Sequence, residues 1–135
     1  MQILSGVGFQ RLEAAIDAAN IRQSVISNNI ANEDTPYFKR SSVSFESLLQ
    51  DEMNNEMPTL RGRTTNPRHF VIGPSNSSIP DSQVITDETT SMNNNLNNVD
   101  IDSEMSLLAE NQLRYNSYIE LLNYQIKMKQ TAISK

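Results

Sequence analysis

Apolar residues gather at the two ends of this chain, and at both ends their spacing is helical. Positions 1–31 hold 16 hydrophobic residues and positions 99–135 hold 17, whereas the 48 positions from 51 to 98 hold only 11. Near the start, Phe9, Leu12, Ile16, Ala19, Gln23, Ile26 and Ile30 recur at alternating steps of three and four. That is the seam along which one helix packs on another. Near the end, Ile101, Met105, Leu108, Gln112, Tyr115, Ile119, Leu122, Ile126, Lys129 and Ile133 repeat the pattern over a longer span. Helices over 9–31 and 102–133 measure about 34 and 48 Å at roughly 1.5 Å per residue. The expected class is all-α, with long N- and C-terminal helices paired as an antiparallel, coiled-coil-like hairpin and an irregular, partly β middle segment.

The middle supports that division. All five prolines lie between Pro36 and Pro80, and the polar run from Ser91 to Asn98 follows them, a composition of turns and loops. Thr35-Pro36 closes the first helix, because proline cannot continue it and pushes the preceding residue out of the helical region. Phe45 to Met53 reads as a short helix with Ser44 as its cap, and brief strands are expected around 68–72 and 83–86, where β-formers are bounded by Pro and Gly. The chain divides into an N-terminal helix (1–35), a middle segment (36–98) with a short helix near 44–54, and a C-terminal helix (99–135). Asp100, Asp102 and Glu104 at the start of the last helix, and Lys127, Lys129 and Lys135 near its end, suit the helix dipole.

Composition narrows the function. The chain has no Cys, one His and four Gly, so disulfides, thiol catalysis, zinc fingers and iron–sulfur clusters are excluded and the usual catalytic bases and phosphate-cradling loops are scarce. No enzyme, cofactor or small-molecule substrate is expected. A net charge of −5 argues against nucleic acid, whose backbone is bound by a basic surface. Asp100, Asp102 and Glu104 resemble part of a calcium loop, but the turning glycine and the closing acidic residue are missing, and helix capping is the simpler reading. His69 with Arg61, Arg63 and Arg68 reads as a solvated or partner-facing surface rather than an anion site. Asn76-Ser77-Ser78 matches a glycosylation sequon that is common by chance. Carboxylate pairs such as Glu13 with Asp17, or Asp51 with Glu52, have no apolar pocket to raise a pKa. The first twenty residues lack the basic start and continuous apolar run of a cleavable signal peptide, and no stretch has the length of an apolar membrane span.

The last helix carries a second set of apolar residues, Leu107, Tyr118, Leu121 and Met128, off the main seam. Two helices alone cannot cover both faces, which favours an assembly surface over a closed hairpin. Helices left partly uncovered should fray in the monomer and order on binding.

The stretch from Ser27 to Arg40, including Asn28, Asn29, Ile30, Ala31, Asn32, Thr35 and Pro36, closely resembles the N-terminal signature of bacterial flagellar axial proteins, the rod and hook group. Asn98, Val99 and Asp100, continuing to Met105, resemble the matching signature before the C-terminal helix. The short length, the stretch from Thr65 to His69 and the lack of a large central domain look most like a proximal rod subunit. One departure is Tyr37, which stands between Pro36 and Phe38 where the family usually has a small or variable residue.

The resemblance implies a structural subunit of the proximal rod of the flagellar basal body, exported through the flagellar type III apparatus without a cleavable signal and polymerising through its terminal helices. It implies as partners FlgC and further rod subunits, the adaptor protein FliE, the export gate and other copies of the chain. Within one subunit, Phe9, Leu12, Ile16, Ile26 and Ile30 are then expected to pack on Leu108, Tyr115, Ile119, Leu122 and Ile126. Leu107, Tyr118, Leu121 and Met128 would face neighbours. The competing class is a small helical chaperone or adaptor of the export system, stably folded by itself.

Overall fold

A computed structural model describes residues 6–55, 79–91 and 95–134. The expected strand at 68–72, the group formed by Arg61, Arg63, Arg68 and His69, the sequon at Asn76 and the cation Lys135 lie outside those residues. Two long helices, α1 (Val7–Ala31) and α3 (Ile101–Ile133), pack together. Between them in sequence come the strand β1 (Ser41–Ser44), the helix α2 (Glu46–Asn55) and the strand β2 (Gln83–Thr86). The architecture is therefore the expected helical hairpin with a small β element in the middle.

The helix ends follow local chemistry. Asn32 N–H donates to the carbonyl of Asn29 and Glu33 N–H to that of Ile30, and the Asn32 side-chain amide donates to Asn28 O at 2.8 Å. The last-turn carbonyls of α1, which have no helical donor, are partly satisfied in this way. Thr35 N–H and Thr35 Oγ1 both return to Asn32, at 3.0 and 3.2 Å, and Pro36 follows. At the other helix, Asp100 caps α3 by accepting from Asp102 N–H at 3.1 Å.

Contacts along the hairpin define an antiparallel pairing. Asn29 meets Glu104 near the α3 start, Ala19 meets Asn111 further along, and Lys129 Nζ lies 5.0 Å from the Phe9 ring centroid at the far end. Lys129 therefore sits over an aromatic face, and the last turn of α3 carries no basic residue. Ala18 and Ala19 are fully buried, since a residue without side-chain bulk lets the α3 side chains approach the α1 backbone.

The α3 seam is rotated from the one expected. Met105 and Gln112 are exposed, while Glu104 and Asn111, one residue earlier in each case, are buried. The buried face thus runs through Glu104, Leu108, Asn111 and Tyr115. Apolar periodicity passes over it because two of its members are polar and are held by hydrogen bonds to α1 instead of by apolar contact.

β1 and β2 pair antiparallel, with Ser41 opposite Thr86 and Ser44 opposite Gln83. The β2 segment coincides with the strand expected at 83–86. Its partner Ser41-Ser42-Val43-Ser44 has weak strand propensity and is held in place by Asn29, whose side-chain amide accepts from Ser41 N–H at 3.0 Å and donates to Ser41 O at 2.7 Å. That amide acts as a neighbouring strand would. Ser44 closes β1 and meets Ser47 Oγ at 2.9 Å, and the first turn of α2 is closed by Leu49 N–H donating to Phe45 O. The helix therefore starts at Glu46, directly after the buried Phe45 ring.

Candidate functional site: a polar junction and an uncovered helix face

The residues that resemble the family signatures converge at one end of the hairpin. Glu104 is 0% exposed. Arg40 Nε donates to its Oε1, and Asn29 Nδ2 to its Oε2 at 3.1 Å. A carboxylate taken out of water is tolerable only with such partners on both oxygens. Asn29 thereby joins three elements, since the same amide holds β1. Arg40 N–H donates to Asn98 Oδ1 at 2.6 Å, and Asn98 Nδ2 donates to Asp87 O and Thr90 Oγ1 at 3.0 and 2.9 Å.

Asn97 is also completely buried. Its amide nitrogen lies 2.9, 2.8 and 2.9 Å from the carbonyls of Asn32, Glu33 and Thr35, so it gathers the open end of α1. Its Oδ1 accepts from Val99 N–H at 2.7 Å, and Val99 is itself buried. This turn places Tyr37 at φ 64, the left-handed region that glycine adopts most easily. The backbone thus takes the geometry expected of a small residue, although a tyrosine occupies the position. Of the other signature residues, Asn28 contributes its carbonyl to Asn32, Ile30 is half-buried, Ala31 ends α1, and Pro36 lies exposed in the turn.

Two further features were not expected from the sequence. Glu46 at the start of α2 bridges both long helices: its Oε2 takes Arg22 Nη2 at 2.5 Å and its Oε1 takes Arg114 Nη1 at 3.0 Å. Burial pushes its carboxyl up, but the hydrogen bond and charge of Arg22, together with Arg114, more than offset this and hold its pKa below the ordinary value. Asp87 lies in a tight turn whose hydroxyl and N–H donors, Thr90 Oγ1 first and then Thr89, lower its pKa to about 2.

The acidic residues that resemble part of a calcium loop have other work here. Asp100 caps α3 and Glu104 holds Arg40 and Asn29. The junction's donors and acceptors are spent on one another, so the site is built to hold elements together.

The residues expected to pack within the subunit lie as follows. Leu12 and Ile26 are buried, and Phe9, Ile16, Ile30, Leu108, Tyr115, Ile119, Leu122 and Ile126 are half-buried. Of the four expected to face neighbours, Leu121 and Met128 are exposed and Tyr118 is half-buried. Leu107 is half-buried beside Arg22, Val25, Ile26 and Val43, in a cleft between α1, β1 and α3. Leu121 and Met128 belong to a larger stripe. Leu113, Ser117, Leu121, Tyr124 and Met128 follow at steps of four, four, three and four, and the four large side chains are 69, 52, 63 and 55% exposed. An open groove of about 610 Å³ runs along Tyr124, Lys127, Met128, Thr131 and Ala132. No described helix is long and apolar enough to cross a membrane.

Comparison with known proteins agrees with this geometry. The family described as flagella basal body rod protein matches residues 12–39, from the buried Leu12 to the junction. The chain is 37% identical to the flagellar basal body rod protein FlgB of Bacillus subtilis (strain 168), over 99% of this chain and 98% of that protein. It is 44% identical to the FlgB of Borreliella burgdorferi over 75% of this chain and 76% of the relative. It is 32% identical to that of Proteus mirabilis (strain HI4320) over 88% of each. With its signatures built into one buried junction and its likeness running along nearly the whole length of such a relative, the chain belongs to the FlgB family of flagellar basal body rod proteins.

Proposed function

We propose that this chain is a structural subunit of the rod of the bacterial flagellar basal body, and that its long helices carry the assembly contacts. The relatives named above are all flagellar basal body rod proteins, and nothing among them favours an export chaperone or adaptor. The observation that supports an assembly role is the α3 stripe of Leu113, Leu121, Tyr124 and Met128, four large side chains left more than half exposed on the side away from α1. Scattered exposed apolar residues are ordinary, but a stripe repeated over four turns marks a surface that a partner covers.

On this reading, residues 1–35 and 99–135 are the axial segments and residues 36–98 the middle segment, of which β1 and the turn at Asp87 are tied to the polar junction. The subunit occupies the proximal rod after type III export without a cleavable signal. It meets FliE and the export gate on one side, and FlgC and further rod subunits on the other. Leu121 and Met128 are the principal contact residues, with Tyr118 at the edge, and Leu107 contributes from the cleft beside α1. No chemistry on a substrate is involved.

Burying a Leu fully contributes roughly 1.5–3 kcal/mol, so a charge at position 121 removes a contact that recurs at every subunit. Leu121→Asp is therefore expected to leave the monomer soluble and helical while blocking its incorporation into rods. Rods of normal length built from the variant would refute the assignment of this face.

A further inference from the structure

Tyr37 is 73% exposed, so its ring meets little of its own chain. Its hydroxyl has no hydrogen bond among the described residues, and its backbone is held at φ 64, a conformation that disfavours any side chain with a Cβ. The turn is nonetheless firmly fixed: Tyr37 N–H donates to Asn95 O at 3.0 Å, and Asn97 grips the carbonyl of Thr35 two residues earlier. A strained residue kept in place by a buried network, with its aromatic ring presented to the outside, calls for a counterpart.

The same chain carries a cleft of complementary chemistry. Between α1 and α3 lies a space of about 190 Å³ lined by Arg22, Leu107, Glu110, Asn111 and Arg114. A cavity of about 150 Å³ admits a benzene-sized ring. Asn111 is buried and its Nδ2 donates to Ala19 O at 2.9 Å, but its Oδ1 has no hydrogen-bond partner. Buried acceptors in folded proteins are almost always satisfied.

The cleft asks for no net charge, because Arg22 and Arg114 are already matched by Glu46 and Glu110. What it lacks is a neutral donor on an apolar or aromatic stem. Guanidinium groups beside such a ring also stack favourably on its face. Glu110 and Arg114, joined at 2.5 Å and both well exposed, form the lip that an entering ring displaces to reach Oδ1.

We propose that Tyr37 of one copy enters this cleft on a second copy, its ring lying against Leu107 and the arginines and its hydroxyl donating to Asn111 Oδ1. The contact joins two different patches of the same chain, so it is heterologous and propagates from copy to copy. It rests on the assembly reading above and adds to it a specific polar contact away from the apolar α3 stripe.

The test compares the full chain with Tyr37→Gly and Tyr37→Phe by sedimentation velocity over a concentration series. It adds photocrosslinking from a benzoylphenylalanine placed at position 37. Glycine suits φ 64, so Tyr37→Gly is expected to raise the melting temperature of the dilute chain while weakening self-association at least about tenfold. A merely structural tyrosine would not give that opposed pair. Tyr37→Phe, which loses only the hydroxyl, falls between. The crosslink is expected on the peptide containing residues 107–114 of the second copy.

Self-association unchanged in Tyr37→Gly, a crosslink mapping elsewhere or onto a different protein only, or a wild-type chain that stays monomeric throughout the series overturns the proposal. If Leu121→Asp abolishes assembly while Tyr37→Gly leaves it intact, the rod reading stands and this contact does not.

Discussion

The buried pair of Arg40 and Glu104 makes the most quantitative prediction. The two partners are not equivalent: the Glu104 side chain is wholly buried, whereas the Arg40 side chain is 31% exposed. Arg40→Leu leaves a carboxylate inside the junction with only the Asn29 amide to support it. Breaking a buried pair by removing one partner costs about 3–5 kcal/mol, and partial water access at Arg40 places this variant at the lower end, about 3 kcal/mol. Against a total stability of about 5–15 kcal/mol, that is a large fraction, and the melting temperature falls by roughly 10 °C. Glu104→Leu strands a guanidinium that can turn to solvent, so it costs less, about 1 kcal/mol. The double variant removes both charges and is expected within about 1 kcal/mol of the parent, because an apolar pair in such a site is often neutral. Urea unfolding followed by far-ultraviolet circular dichroism measures all four proteins, with an unchanged slope as the check that the unfolded states are comparable. If the double variant is at least as unstable as Arg40→Leu, the cost does not come from an unpaired buried charge, and the account of the junction fails.

Other perturbations separate the remaining contacts. Asn97→Asp keeps the shape but turns a donor shared by three carbonyls into an acceptor; a loss of about 2 kcal/mol and faster amide exchange at residues 32–38 are expected by hydrogen-exchange mass spectrometry. Asp87 has a folded pKa depressed from 3.8 to about 2. Its contribution is therefore complete above the unfolded value, is lost as the pH falls from about 4 to about 2, and is absent in Asp87→Asn, as the pH dependence of β2 amide exchange should report. Glu46→Gln loosens the bridge from α2 to Arg22 and Arg114; both arginine contacts are partly solvated, so the stability change stays below about 1 kcal/mol, while proteolysis within Glu46–Asn55 accelerates.

The sequence and the structure agree most where periodicity is apolar. The two long helices, their antiparallel pairing and the strand at 83–86 are readable because Leu, Ile and Val mark them directly. The junction is legible only in part. Its residues stand out as an asparagine-rich helix end and an asparagine-rich helix start, but nothing in that composition says that Asn29 imitates a strand partner for Ser41 or that Asn97 collects three carbonyls. Those roles need residues 12 to 65 positions apart to meet. The rotation of the α3 seam has the same origin. Glu104 and Asn111 are seven residues apart on one face, a polar pair inside a hydrophobic repeat, and a scan for apolar spacing steps around them to Met105 and Gln112. Reading regularly spaced polar residues as candidates for buried hydrogen bonds would have found both.

The distribution of buried groups along the hairpin bears on when the fold becomes complete. Among the described residues of α3, every fully buried side chain lies at or before Asn111, and the remaining 22 residues to Ile133 have none. Yet that half carries Tyr115, Ile119, Leu122 and Ile126 half-covered on the α1 side and Leu121, Tyr124 and Met128 exposed on the other. An amphipathic helix is stabilised mainly by what covers its apolar face rather than by propensity. A helix with apolar residues on two faces and full burial on neither is less stable than the junction half of the same hairpin. The junction half, by contrast, contains Ala18, Ala19, Ile26, Phe45 and Val99 in full burial together with a satisfied polar network, and supplies its own stability. Opening of the hairpin from its far end, where Phe9 faces Lys129, therefore requires little free energy, and opening through the junction requires much more. A subunit organised this way keeps its register fixed at one end while the other end waits for the surfaces of its neighbours.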